Sequence, residues 1–236
     1  MKKTSIIIGG TKGIGSVISK SLKKRGDLTF IISRNKLDNK NFFKCDINSK
    51  LELNILKKKI GNKKIDNLIF SQRYRGAHPE KDFELQLNAT NKVIKILKKN
   101  LSKNSSIVIL SSIATTTILH DQNEIYHYTR SALEGLVKYY ACTLGKMGVR
   151  VNCIQPSKLI KPENKKYFLK KKNTDRKILE KITPLRRMGK SEDIANLTLF
   201  LTSDASSFIT GTIIPVDGGL RLLSQESIYR IIMNKK

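Results

Sequence analysis

Long apolar runs, paired cysteines and acidic residues are all scarce in this chain of 236 residues. No apolar run approaches the roughly 20 residues that a membrane-spanning helix requires. The basic start at Lys2 and Lys3 is followed by an apolar stretch that stops at Ile8, which is too short for a secretory signal. We therefore expect neither a membrane span nor a cleaved leader.

Cysteine and histidine are equally sparse, with three residues of each. The cysteines are widely spaced and form no C-x-x-C pair, which is typical of small core side chains in a reducing compartment. The histidines show no spacing that would ligate a metal ion. These absences together predict a cytoplasmic protein without a metal site.

Acidic residues number 19 against 46 lysines and arginines, so the formal net charge is +27. One interpretation is a polyanionic partner such as nucleic acid, an anionic membrane surface or an acidic carrier protein. The other is a surface that has drifted towards lysine together with an AT-rich genome. We favour the second for the chain as a whole, because lysines recur in helical stretches at positions that would face water. Without a recognition motif, no membrane or specific nucleic-acid partner is expected.

What the chain does contain is a regular alternation of strand and helix patterns, without a repeat or a low-complexity linker. Short β-branched runs predict strands at 4–8, 28–33, 65–70, 106–110, 149–154 and 213–216. Apolar residues at helical spacing predict helices at 13–25, 51–59, 82–100, 125–146 and 191–201. This order is typical of a single doubly wound α/β domain, residues 1–236, with helices on both faces of a parallel sheet. Ligands bind such folds at the carboxyl ends of the strands.

A glycine-rich turn joins the first strand to the first helix, with the spacing G-x-x-x-G-x-G. Glycine lets the backbone turn tightly and approach a pyrophosphate, while the amino end of the helix offers free N–H donors. The turn therefore predicts a dinucleotide site. Its residues are Gly9, Thr11, Lys12, Gly13, Ile14 and Gly15.

Landmarks later in the chain repeat the pattern of one enzyme family. They are Asp193-Ile194-Ala195, Phe200-Leu201-Thr202-Ser203-Asp204, Ile209-Thr210-Gly211 and Val216-Asp217-Gly218-Gly219. With the glycine turn and a Tyr126-x-x-x-Arg130 pentad, they make the chain resemble the short-chain dehydrogenase/reductase family from about Thr4 to Gly219. The resemblance implies a Rossmann-like fold and hydride transfer with a nicotinamide dinucleotide.

The resemblance also implies a catalytic tetrad, for which the family carries Asn, Ser, Tyr and Lys. Asn88 matches the residue that holds a water, Ser112 the one that orients the substrate carbonyl, and Tyr126 the acid/base. Arg130 stands in the place of the lysine. Arginine keeps the positive charge that helps a tyrosine to release its proton, and it can donate to a ribose. It does not deprotonate, so it cannot relay a proton as lysine does.

Further residues are expected around the cofactor. Ser33 and Arg34 follow the second strand, where an NAD-specific protein would carry an acid. A cation there, with Lys12 in the glycine turn, suits a 2′-phosphate, so NADP(H) is expected in preference to NAD(H). The other expected contacts are Asp46, Ile47, Ser71, Pro156 and Leu159, together with Tyr126 and Arg130.

The end of the third predicted strand departs from the family. Where the family shows Asn-Asn-Ala-Gly, this chain has Phe70-Ser71-Gln72-Arg73, and the threonine that this segment contacts in the family is Ile8. Two elements that are expected to touch have both changed, which favours coordinated remodelling over decay. Arg73 and Arg75 would add positive charge near the cofactor and suit an anionic substrate.

Residues 157–183 match the substrate lid of the family and are rich in lysine. Either this lid attracts a substrate that carries phosphate or carboxylate, or it shares the basic surface of the whole chain. The tail, residues 220–236, is expected to form a packing helix, with a subunit interface as one option. By analogy with the family, a homodimer or homotetramer through helices 82–100 and 125–146 is expected.

The leading expectation is an NADP(H)-dependent oxidoreductase that interconverts a carbonyl and an alcohol. Its substrate would be small and anionic, or linked to a carrier or nucleotide, of β-ketoacyl or sugar type. The alternative is a protein of the same fold that binds NADP(H) without turnover and acts as a sensor or structural partner. The changed tetrad favours this alternative.

Overall fold

The structure is a computed structural model that describes residues 2–35, 40–74 and 76–234. Seven parallel strands form one sheet in the order β3-β2-β1-β4-β5-β6-β9. Their bounds are Thr4–Ile8 (β1), Leu28–Ser33 (β2), Phe42–Lys44 (β3), Ile65–Phe70 (β4), Leu101–Leu110 (β5), Arg150–Pro156 (β6) and Ile213–Val216 (β9). Two short strands, Leu159–Ile160 (β7) and Gly189–Lys190 (β8), pair with each other outside this sheet.

Helices connect the strands. Their bounds are Gly13–Arg25 (α1), Lys50–Ile60 (α2), Glu80–Phe83 (α3), Ala89–Leu97 (α4), Glu124–Gly145 (α5), Lys165–Phe168 (α6), Thr174–Ile182 (α7), Ser191–Leu201 (α8) and Gln225–Met233 (α9).

Both faces of the sheet are buried under helices. Ile6 and Ile8 of β1 join a core with α2, α4 and α5, while Ile7 points the other way into a core with α1 and α8. This alternation follows from the two-residue period of a strand, and burial on both faces explains the nearly continuous apolar runs. The predicted doubly wound α/β fold is confirmed.

The predicted helix at 82–100 is wrong as a single element. The chain winds as α3, then as a π-helix over Glu84–Asn88, then as α4, and ends in a 3₁₀ turn over Lys98–Asn100. Apolar spacing does not distinguish these windings, because one turn of π-helix contains only about one residue more than one turn of α-helix. Inside the π segment, the Gln86 side chain donates to the carbonyl oxygen of Gln72 over 2.9 Å. That contact comes from the tertiary fold.

The predicted lid and tail pack on each other. The lid segment contains β7, α6 and α7, and α7 contacts the tail helix α9. Lys181 Nζ donates to the carbonyl oxygen of Ile232 over 2.9 Å, which satisfies a free carbonyl at the end of α9. The tail helix is therefore confirmed, and its role in assembly stays a prediction.

Within the described ranges, no helix combines the length and apolar character that a membrane crossing would need. In the same ranges, no three histidine, cysteine or acidic side chains gather as metal ligands.

Candidate active site

The candidate site begins where the glycine turn crosses the carboxyl ends of β1, β2 and β4. Gly9 follows β1 and donates its N–H to Ile32 O of β2 over 2.9 Å. Ser71 follows β4 and donates to Ile8 O from its N–H over 2.9 Å and from its hydroxyl over 3.0 Å. Ile8 and Phe70 are also register partners, so the expected contact between these two changed segments is confirmed.

Two glycines of the turn have no room for a side chain. A Cβ on Gly9, whose φ is +83°, would lie 2.6 Å from the backbone N and Cα of Gln72. A Cβ on Gly15 would collide with Ser71 Oγ and Gly9 O. Because α1 begins at Gly13, its first free N–H groups lie at this bare turn. The result is a cradle that suits a phosphate group.

A cavity of about 260 Å³ opens beside the cradle. The predicted cofactor residues that line it are Gly9, Thr11, Lys12, Ser33, Arg34, Ile47 and Ser71. Gln72, Arg73 and Leu85 complete much of the wall. In the described part of the chain, the wall includes no acidic residue. It does include three cationic side chains, Lys12, Arg34 and Arg73. The cavity is therefore cationic.

The remaining predicted cofactor residues are not part of the cavity wall. Gly13, Ile14 and Gly15 form the first turn of α1. Pro156 ends β6, and Leu159 is buried in β7 with an exposure of 1%. Asp46 stabilises its own turn, since its Oδ1 accepts from Asn48 N over 3.0 Å. Arg75 lies outside the described residues.

Glu163 brings a lid carboxylate to the same cradle. Its Oε1 lies 2.9 Å from the position that a Cβ on Gly13 would occupy. The amino end of a helix favours an anion, which accounts for a carboxylate at this place. Sequence reasoning missed Glu163, because only the fold brings the lid back to α1.

Cys45 lines the cavity as a buried thiol. Burial raises its pKa to about 11, and the neighbouring Glu52 and Asp46 add to the effect. The thiol is therefore protonated at neutral pH, which agrees with its prediction as a small core side chain.

Tyr126 and Arg130 lie one turn apart on α5. The helix begins behind Asn123, whose Oδ1 accepts the N–H of Tyr126 over 2.9 Å. The guanidinium carbon of Arg130 lies 4.4 Å from the centroid of the Tyr126 ring, so a cation faces the aromatic ring. Arg130 is only 3% exposed. The two residues are therefore a packed pair.

Arg130 is also paired with Asp82, a carboxylate that sequence reasoning missed. Its Nη2 donates to Oδ2 and Oδ1 of Asp82 over 3.2 and 3.4 Å. Burial raises the pKa of the Asp82 carboxyl, while Arg130 and Arg73 act to lower it. Arg130 Nε is buried and has no hydrogen-bond partner among the described residues. No motif marked Asp82, since only the packing of α3 on α5 creates the contact.

The other two predicted tetrad residues make contacts of their own. Ser112 follows β5, and its buried Oγ accepts from Ala114 N over 3.2 Å. Asn88 ends the π segment, and its Nδ2 donates to Glu84 Oε1 over 2.6 Å. Across residues 2–35, 40–74 and 76–234, neither side chain is hydrogen-bonded to Tyr126.

Two contacts hold the segment after β5 against α5. Ser111 Oγ donates to the carbonyl oxygen of Arg130 over 3.1 Å. His127 Nδ1 lies 2.8 Å from Ala114 O, so the residue next to Tyr126 anchors the loop that carries Ser112. These contacts join the segment that carries Ser112 to the helix that carries Tyr126 and Arg130.

The fold and the glycine cradle place the chain in a known class of protein. A family model described as enoyl-(acyl carrier protein) reductase matches residues 9–221. The chain belongs to the short-chain dehydrogenase/reductase family, whose members are oxidoreductases.

Relatives match different lengths of this chain. A tropinone reductase homolog of Arabidopsis thaliana, At5g06060, is 30% identical over an alignment of 246 positions that covers 92% of this chain and 91% of that protein. Another, At2g29320, is 39% identical over 115 residues, or 49% of this chain. The chain spans only 42% of that second relative in this match.

An L-rhamnose dehydrogenase and a solved structure add to the comparison. The L-rhamnose 1-dehydrogenase (NADP(+)) of Thermoplasma acidophilum is 28% identical over an alignment of 247 positions that covers 92% of this chain and 96% of that protein. A short chain dehydrogenase family protein from Francisella tularensis superposes with a TM-score of 0.81 at 25% identity, covering 94% of this chain and all of that one (100%).

Proposed function

We propose that the chain is an NADP(H)-dependent oxidoreductase that interconverts a carbonyl and an alcohol. The observation that carries this proposal is the stacked Tyr126–Arg130 pair, in which the guanidinium carbon lies 4.4 Å from the ring centroid. A fixed positive charge therefore faces the side chain that the family uses as acid/base. The pair stands in the same fold as a glycine cradle and a cationic cavity.

The residues around the cavity fit a dinucleotide. Gly9 and Gly15 keep the backbone bare where a Cβ would collide, and the first N–H groups of α1 would hold the pyrophosphate. Lys12 and Arg34 are exposed cations that would hold a 2′-phosphate. The NADP(+) in the name of the rhamnose dehydrogenase relative supports the same preference. When bound, NADPH supplies the hydride.

The chain's own residues would then manage the proton. In reduction the Tyr126 hydroxyl gives its proton to the substrate oxygen, and in oxidation it takes the proton back. The Arg130 guanidinium stabilises negative charge on the tyrosine oxygen, and its unpartnered Nε is the donor left for the ribose. Ser112 orients the carbonyl. Because arginine keeps its proton at working pH, Tyr126 must recover its own from water and not through residue 130.

For the substrate we propose a small anionic carbonyl compound, or one linked to a carrier or nucleotide, of β-ketoacyl or sugar type. Arg73 supports this class because it stands exposed in the cavity wall, beside the expected cofactor site. Exposed lysines of the lid add to the positive field. They are Lys165, Lys166, Lys170, Lys171, Lys172 and Lys177. A cytoplasmic location and a homodimer or homotetramer remain predictions.

A parallel titration with NADPH and NADH, read by nicotinamide fluorescence at moderate salt, tests the proposal. We expect saturable binding with a clear preference for NADPH. Failure to bind either dinucleotide would contradict the proposal. Tight NADPH binding without turnover on any carbonyl substrate would instead support the sensor alternative.

A further inference from the structure

The ion pair of Asp82 and Arg130 is a feature of the site that the family pattern does not explain. Its side chains come from two elements, α3 and α5, and are 7% and 3% exposed. A second contact fixes α3 on α5, since the ring of Phe83 meets that of Tyr128 edge-on at 5.9 Å between centroids. The packing of α3 on α5 therefore places the Asp82 carboxylate at Arg130.

The geometry of this ion pair is one-sided. Both oxygens of Asp82 receive from the same nitrogen, Nη2, at 3.2 and 3.4 Å. This is not the two-nitrogen fork that gives the strongest arginine–carboxylate pairs. The one-sided grip leaves Nε without a partner among the described residues, while the guanidinium stacks on Tyr126.

Stability alone gives little reason for a buried carboxylate at this place. Taking two charges out of water costs about as much as their attraction returns, and apolar side chains of similar volume often serve as well. A role for the carboxylate in tuning its neighbours accounts for it better. The neighbour in contact with the guanidinium is Tyr126.

We propose that Asp82 is a positioning residue, which holds Arg130 over Tyr126 and offsets part of its charge. The ionisation of the tyrosine hydroxyl is then set by the Asp82–Arg130 pair and not by Arg130 alone. This inference rests on the proposed function, because only there is Tyr126 the acid/base. A cation tied to a carboxylate exerts a weaker field than a free one, so Asp82 reduces the field of Arg130 at Tyr126.

Other titratable groups also face this pair. Arg73 faces Asp82, while Glu134 and Arg130 of α5 both act on Cys153 of β6. Burial raises the pKa of the Cys153 thiol, which is therefore neutral. The ring of His127 lies 6.2 Å from that of Tyr126. All four groups are left unchanged in the variants below, so they act as a constant background.

Titration of Tyr126 in the unliganded protein tests the proposal. Carbon-13 NMR of Cζ-labelled tyrosine follows the ionisation, and Tyr126→Phe assigns the resonance. In Asp82→Asn the amide oxygen still accepts from Nη2, but the negative charge is gone. We expect the midpoint to move to lower pH by about one unit, an about tenfold change in the dissociation constant.

Two further variants serve as controls. Glu80→Gln removes an exposed carboxylate from the same helix α3 and should leave the midpoint unchanged. Asp82→Glu keeps the charge and should retain the wild-type midpoint. An unchanged midpoint in Asp82→Asn, or a shift to higher pH, overturns the proposal.

A double variant covers the case in which Asp82→Asn does not fold. Asp82→Asn with Arg130→Gln removes both charges from the interior at once. Its midpoint is expected above that of the wild type, because the lost cation is the charge that contacts the ring. A wild-type midpoint in this variant also overturns the proposal. Since no cofactor or substrate is present, the result is independent of whether the proposed function holds.

Discussion

Two parts of this site are held together differently: the glycine turn and the proposed catalytic edge, which consists of Asp82, Arg130 and Tyr126. The turn is backbone against backbone, with Gly9 bonded to Ile32 O and pressed on Gln72. The catalytic edge is made of side chains, in which Asp82 and Arg130 form a buried charge pair under the Tyr126 ring.

This difference explains why the glycines of the turn keep the family pattern while the side chains of the other region change. A backbone cradle tolerates no Cβ, so its glycines cannot be exchanged one at a time. A side-chain site can exchange lysine for arginine if charge and hydrogen bonding are balanced again. The carboxylate of Asp82 offers that balance through its bonds to Nη2 of Arg130.

Placing a side chain in the glycine turn should have the largest effect on cofactor binding. Gly15→Ala puts a Cβ against Ser71 Oγ and Gly9 O, so the cradle must open. We expect NADPH affinity to fall by at least about a hundredfold, as for a displacement of about 1 Å in a binding site. Nicotinamide fluorescence measures it.

The matched control for this change is Gly135→Ala on α5. A Cβ there meets nothing within 4 Å, so this variant should bind NADPH as the wild type does. If Gly15→Ala binds equally well, the turn does not hold the pyrophosphate.

Removing a cation from the cavity wall should have the next largest effect, and it should separate NADPH from NADH. Arg34→Ala should weaken NADPH binding about ten- to hundredfold, which is typical of a lost hydrogen bond to a charged group. NADH binding should hardly change, because NADH lacks the 2′-phosphate. Lys59→Ala, an exposed lysine on α2, controls for net charge. Equal losses for both dinucleotides would show that Arg34 acts only through general attraction.

An ion pair at α8 shows how much stability such a contact contributes away from both regions. Asp193 accepts from Arg187 over 2.8 Å and from Lys190 N over 2.7 Å, and the Arg187 hydrogen bonds hold the pKa of its carboxyl below the ordinary value. This stabilisation is present above the unfolded-state pKa and is lost as pH falls through the folded-state pKa. Asp193→Asn should cost about 1 kcal/mol at neutral pH and almost nothing in acid.

Urea unfolding at the two pH values measures this difference in the free energy of unfolding. Glu192→Gln, the exposed neighbour on the same helix turn, should change it less. A loss for Asp193→Asn that persists in acid would mean that its carboxylate charge is not the cause.

The smallest expected effect concerns the lid carboxylate at the cradle. Glu163→Gln removes a negative charge beside the expected pyrophosphate, so both NADPH and NADH should bind about two- to fivefold more tightly. Glu180→Gln serves as the control, since that lid carboxylate pairs with Arg176 at 2.8 Å. Tightening for NADPH alone would contradict a pyrophosphate at α1.

The comparison also separates what the sequence can reveal from what it cannot. β1, α1 and the glycine spacing follow local rules of periodicity and steric room, and they were predicted with correct bounds. The π-helix over Glu84–Asn88 was not, because apolar spacing fits either winding. Asp82 and Glu163 were missed for a related reason, since each meets the site only after distant elements pack.

Turnover with and without the tyrosine hydroxyl tests the central claim most directly. NADPH consumption on a panel of anionic carbonyl compounds is compared for the wild type, Tyr126→Phe and the control Tyr128→Phe, an exposed tyrosine of the same helix. The account predicts turnover by the wild type and the control, with a loss of at least about a hundredfold in Tyr126→Phe. Equal rates in all three proteins would contradict Tyr126 as the acid/base.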